Sequence, residues 1–232
     1  MKILSRTSIE NNVNLKFCGI FYNLSKLVVK LFTKRYRFEV ETPKTQANFY
    51  VCRHKNLRGV IRVMKSSNFD MHPFILHVFS TQKSAFSHFC NYTFSKRYKL
   101  PKILRYPLSF ICAFFMASLF KSAKGIKTFR NSAKAIITVK TTTEYLLLGE
   151  SVIVFPDVDY KSTLSTVGEI YEGFLTVEKI YYKKTGKHVN FIPLTVDETT
   201  RKITEGEPIN FSGETTFSNE KPKVVEKLKK CI

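Results

Sequence analysis

The residues best suited to chemistry are few, and they sit at the ends of apolar runs. His54 follows Ala47–Cys52 (Ala-Asn-Phe-Tyr-Val-Cys) and stands within Arg53-His54-Lys55-Asn56. Near neutral pH, histidine is the side chain that can take a proton from a hydroxyl and give it back. Asp157 and Asp159 follow a second apolar run, Ser151–Phe155, in the loop Pro156-Asp157-Val158-Asp159-Tyr160-Lys161-Ser162. Either carboxylate would orient an imidazole or touch a substrate if both loops open into one crevice. The alternative is that the pair only closes an Asx-type turn. A third stretch, Gly125-Ile126-Lys127-Thr128-Phe129-Arg130, ends on cations. Guanidinium groups grip phosphate with bidentate geometry.

These loops need elements to hold them. Ala47–Cys52, Ala123–Arg130, Ser151–Phe155 and Val189–Val196 read as strands. Pro193 suggests a bulge or edge position in the last of them. The strands alternate with helical patterns over 57–64, 131–148 and 168–185, and Gly149 supplies a C-terminal stop. Strand–helix alternation predicts a single α/β domain with a mostly parallel central sheet flanked by helices. Ligands of such sheets bind beyond the carboxyl ends of the strands. Residues 15–35 precede the domain as an amphipathic helix. Its apolar face holds Phe17, Ile20, Phe21, Leu24, Leu27, Val28, Leu31 and Phe32, and Lys16, Asn23, Lys26 and Lys30 lie opposite. This pattern suits a helix lying in a membrane interface, or one packed on the core. Residues 107–120 carry no charge and are bracketed by Lys102, Arg105 and Lys121. Fourteen residues span about 21 Å, too short for a hydrocarbon core of about 30 Å, so a buried helix or a membrane-dipping one is expected. The expected division is a basic amphipathic helix over 1–36, the α/β domain over 37–212 and a Lys-rich tail over 213–232.

The chain of 232 residues carries a formal charge of +20. Residues 51–140 hold 17 basic side chains and one acidic one, whereas residues 141–232 are close to neutral. A one-sided positive field calls for an anionic partner such as phospholipid headgroups, a phosphorylated substrate or nucleic acid. Nucleic acid is the weakest of these, because there is no helix-turn-helix signature, RNP block or zinc finger, and the phenylalanines sit in apolar runs. The five cysteines are irregularly spaced, without a Cys-x-x-Cys pair, which fits a reducing compartment and no zinc site. The N-terminal segment does not read as a secretion signal. His72, His77 and His88 have no carboxylates at metal spacing and read as incidental, as does His188 in a Lys-Thr-Gly-Lys turn.

Four segments in order resemble the lysophospholipid (glycerolipid) acyltransferase family. Arg53-His54-Lys55-Asn56-Leu57-Arg58-Gly59 is similar to its His-x-x-x-x-Asp block. Gly125–Arg130 is similar to the strand that ends in a phosphate-binding arginine. Val154–Ser162 resembles the Phe-Pro-Glu-Gly-Thr-Arg-Ser block, and Phe191-Ile192-Pro193-Leu194 the Val-Pro block. Gly206-Glu207-Pro208-Ile209 is similar to the closing strand, so the resemblance spans roughly residues 36–210. It departs from the pattern at Gly59, where the family has its aspartate, and at Asp157, Val158 and Tyr160. The interval between the first and third blocks is also longer than usual.

The resemblance implies a 1-acylglycerol-3-phosphate acyltransferase-like enzyme of phospholipid biosynthesis, peripheral or monotopic on the cytoplasmic face of a membrane. It would move a fatty acyl group from acyl-CoA or acyl-carrier protein to a lysophospholipid-type hydroxyl, with no cofactor beyond that donor. His54 would be the base and Asp157 its partner. Arg130, Lys127 and Lys161 would hold phosphate, supported by Arg53, Asn56 and Asp159. A catalytically degenerate lipid-binding relative is the alternative.

Overall fold

The computed structural model describes residues 16–41, 48–130, 132–159 and 167–232. Seven strands form one sheet: β1 (Arg37–Glu39), β2 (Asn48–Cys52), β3 (His72–Leu76), β4 (Ile126–Thr128), β5 (Val152–Val154), β6 (Asn190–Asp197) and β7 (Lys202–Glu205). Their order is β1-β7-β6-β2-β5-β3-β4, and every neighbouring pair is parallel except β6 with β7. The predicted mostly parallel α/β sheet is therefore what the chain forms. β2 shows why both faces are covered. Phe49 and Val51 enter one core, with residues of α5 (Ala135–Leu147), α6 (Val177–Thr185) and α7 (Phe217–Cys231), while Tyr50 and Cys52 enter the other with Val63 of α2 (Arg58–Ser66). A strand buried on both sides reads as a continuous apolar run, as this one does.

Pro193 corrects the edge expectation, because β6 lies between β2 and β7. The Pro193 carbonyl accepts a bond from Gly206 N. Its nitrogen thus faces the β7 side, where the ladder has already ended at the Leu194–Glu205 pair. The missing N–H forgoes only the return bond to Gly206, at the end of that ladder. The expected tail forms α7, whose Leu228 is fully buried.

The uncharged segment 107–120 is part of α4 (Lys102–Ser122), a 21-residue helix long and apolar enough to cross a membrane by length and composition. It is not a buried core helix, since only Ser109 and Ala113 are buried. α3 (Gln82–His88) and a π-helical stretch, Phe89–Arg97, precede it. The amphipathic segment forms α1 (Ile20–Phe32), of which only Tyr22 is buried. The two helices pack together where Gly19 N donates to Ser122 O at 2.8 Å and Phe21 meets Phe115. Ile20 is 88% exposed, Phe32 84% and Ile103 82%, so both helices turn large apolar side chains outward.

His72, which reads as incidental in the sequence, anchors this arrangement. It is fully buried on β3, stacked between Phe17 at 3.9 Å and Tyr145 at 3.6 Å. Its Nδ1 lies 2.9 Å from the Lys124 carbonyl and its Nε2 lies 2.7 Å from Glu150 Oε2. Burial pushes the imidazole towards its neutral form, and the Lys124 carbonyl and Glu150 pull the other way. Next to it, Asp70 Oδ2 accepts the Phe17 and Cys18 amides, both at 2.7 Å. The start of α1 is thereby tied to the sheet through one ring stack and one carboxylate. His72→Ala should cost about 3 kcal/mol, the range for breaking a buried pair. Chemical denaturation would measure it, and a change within experimental error would remove His72 as the anchor.

Candidate functional site

The carboxyl ends of β2, β5, β3 and β4 lie side by side along one sheet edge. They bring together the loops bearing His54, Asp157, His77 and Arg130. Over the ends of β3, β4 and β5 lies a cavity of about 210 Å³, lined mainly by apolar side chains including Phe74, Leu76, Val139, Phe155 and Phe174. Arg130 and Tyr171 stand among its walls. The His54 ring meets Phe155 edge-on at 6.2 Å, so the imidazole adjoins the cavity through that side chain.

The backbone around His54 is unusual. Lys55, Asn56 and Leu57 all have positive φ, at 42°, 50° and 68°. Asparagine tolerates this region, whereas lysine and leucine pay about 1–2 kcal/mol each. The left-handed turn folds the chain back, so Gly59 N donates to the His54 carbonyl at 3.1 Å. It also presses Gly59 onto the preceding strand: a Cβ there would lie 1.9 Å from the Arg53 carbonyl oxygen. The position where the family carries its aspartate thus has no room for any side chain.

The turn sets the imidazole as well. Leu57 N donates to His54 Nδ1 at 3.1 Å. A nitrogen that accepts an N–H carries a lone pair, so the neutral ring bears its proton on Nε2. Asp157 lies close, but it meets the main chain: its Oδ2 accepts the His54 amide at 3.1 Å. It is buried, with Arg53 Nε 3.9 Å from the same oxygen. Among the described residues, Asp157 Oδ1 has no hydrogen-bond partner. Asp157 and Arg53 therefore form a buried support under the His54 backbone. The neighbouring Cys52 thiol is pushed up to about 12, by burial first and then by Asp157, which leaves it protonated and unfit as a nucleophile.

The other expected site residues divide. Arg130 lies over the Tyr171 ring at 3.8 Å, at the cavity wall. Lys127 is exposed on β4 and does not line the cavity. Asp159 and Asn56 are exposed. Lys161 lies outside the described residues. Of the cations expected to hold phosphate, Arg130 is the one that the described structure brings to the cavity wall, on a segment positioned by α5. Thr138 Oγ1 of that helix donates to the Lys127 carbonyl at 2.8 Å and accepts the Phe129 amide at 3.2 Å. The first turns of α5, through Ala135 and Thr138, also line the cavity.

Tyr171 and His77 are the residues that the sequence did not point to. Tyr171 reaches the site because its amide bonds the Pro156 carbonyl and Asp157 bridges to Ile170. His77 stacks on Phe129 at 4.9 Å. Neither belongs to a local motif; only the strand order brings them there. Among the described residues, no three His, Cys, Asp or Glu side chains gather to hold a metal ion.

Gly59→Asp should destabilise the chain by about 3 kcal/mol or more through overpacking rather than complete a catalytic pair. Urea denaturation measures the first effect. A variant of wild-type stability would contradict the close approach.

No protein-family model matches the chain, and no curated protein matches it. Among solved structures, it is similar to the crystal structure of the 1-acyl-sn-glycerophosphate (LPA) acyltransferase PlsC from Thermotoga maritima. The identity is 16% and the TM-score 0.47, over 90% of this chain and 76% of that one.

Proposed function

We propose that the protein works on a phosphate-bearing lipid at an anionic membrane surface and transfers an acyl group to its hydroxyl, with His54 as general base. The observation that carries this reading is the convergence on one sheet edge of an imidazole, an apolar cavity and a guanidinium. The apolar walls suit an acyl chain. Arg130 and the N-terminal turns of α5 suit a phosphate. The ordered resemblance of four sequence segments to glycerolipid acyltransferases points the same way, and the exposed apolar faces of α1 and α4 suit an interfacial location.

In this chemistry, His54 Nε2 takes the acceptor hydroxyl proton as that oxygen attacks the thioester carbonyl carbon. The carbon–sulfur bond breaks, and the departing thiolate receives the proton from the imidazolium. The resting ring carries its proton on Nε2, so it must first change tautomer and give up the Leu57 bond. A hydrogen bond of this kind is worth about 1 kcal/mol net, a several-fold effect on rate rather than a block.

The tautomer in which His54 rests favours a second reading: a lipid-binding relative that does not turn over. Purified protein given lysophosphatidic acid and an acyl thioester, with released thiol followed, separates the two. Acyl transfer predicts release, and His54→Ala should lower it by about 10²-fold or more. A variant with the wild-type rate would reject His54 as base. Vesicle binding with no thiol release over a broad acceptor panel would support the second reading. Arg130→Ala should raise KM for a phosphate-bearing acceptor by about tenfold with little change for an uncharged one. Equal effects on both acceptors would remove Arg130 from phosphate binding.

A further inference from the structure

A second cationic site lies away from the His54 edge. Lys16, Asn23, Lys26, Leu27 and Lys30 form one wall of a cleft of about 480 Å³, and Ser67, Asn68 and Asp70 form the other. Three ammonium groups meet here with one carboxylate. That carboxylate is already committed: Asp70 is buried and its Oδ2 holds the Phe17 and Cys18 amides. Lys26 is fixed in place, its Nζ donating to the Ser67 carbonyl at 2.7 Å. Burial, and then the charges of Lys30 and Lys16, disfavour its protonated form, while Asp70 favours it. Three cations against one carboxylate leave an excess of positive charge, and a bound anion relieves their repulsion.

The neighbouring surface identifies the anion. Lys26 and Lys30 are four residues apart on one flank of α1. The adjoining stripe of the same helix, Ile20, Leu24, Leu27 and Leu31, is exposed, and Leu27 also lines the cleft. An apolar stripe continuous with a cationic cleft matches a molecule that has hydrocarbon chains beside a phosphate. A nucleic acid would leave the stripe uncovered. We propose that this cleft holds the phosphate of an anionic phospholipid in the leaflet on which α1 and α4 rest. It would be an anchoring site, separate from the cavity beside His54. The inference rests on the membrane-surface reading above, but not on acyl transfer.

Flotation of the full chain with vesicles of phosphatidylcholine, with and without phosphatidylglycerol, tests it. The wild type should prefer the anionic vesicles. Lys26→Gln with Lys30→Gln should weaken that binding by about 25-fold, taking about fivefold for each lysine near an anionic surface. Lys183→Gln with Lys184→Gln, on α6, should leave it within about twofold. Lys30 is exposed, so Lys30→Gln alone carries the test if the double variant does not fold, with about a fivefold loss expected. Equal losses from the α1 and α6 variants, or no loss from Lys30→Gln, would overturn the cleft while leaving membrane binding intact. Displacement by millimolar inorganic phosphate, or equal retention on RNA, would overturn the lipid as its ligand. Failure of the wild type to float with either vesicle would overturn the membrane reading itself.

Discussion

The contact between Gly59 and the Arg53 carbonyl decides what can stand around His54. Three left-handed residues bring the chain back on itself, and a glycine is the residue that fits where it returns. With this turn come the bond from Leu57 N to His54 Nδ1, the tautomer with the proton on Nε2, and the exclusion of any side chain at position 59. Asp157 then serves a different purpose. It supports the His54 main chain from the adjacent strand, with Arg53 buried alongside. The turn is held from below by a carboxylate that in another backbone would orient the imidazole.

A second constraint fixes where α1 and α4 sit against the sheet. Phe17 and Tyr145 stack on the buried His72 ring and tie the start of α1 to β3, and Ser122 ties it to the end of α4. The two helices, joined in this way, both carry exposed apolar side chains. A protein that meets a bilayer in this way gains from burying those side chains and from the lysines beside them. Both contributions depend on a histidine that makes no contact with the cavity.

Much of the fold was legible from residue order. Phe49 to Cys52, Val152 to Val154 and Asn190 to Val196 are apolar runs bounded by turn residues, and buried parallel strands are what such runs become. The His54, Asp157 and Arg130 loops follow strands, so their placement on one edge followed from the parallel arrangement. What was not legible depends on contacts between distant residues. Pro193 signals an edge by local rule, but its nitrogen faces the place where β7 stops. His72 carries no spacing signal, because its partners lie at 17, 124, 145 and 150. The uncharged core of α4 underestimated that helix, since its flanking charged turns are helical too. At the site, Gly59 announced a missing carboxylate; the backbone approach that excludes one is visible only in three dimensions.

The turn at 55–57 holds His54 with its proton on Nε2. Nitrogen-15 NMR of labelled histidine, with the His54 signals assigned by their loss in His54→Gln, measures this directly. At a pH where the ring is neutral, the account predicts a protonated Nε2 and an unprotonated, hydrogen-bonded Nδ1. A protonated Nδ1 would contradict it, and would place His54 in the tautomer of a ready general base.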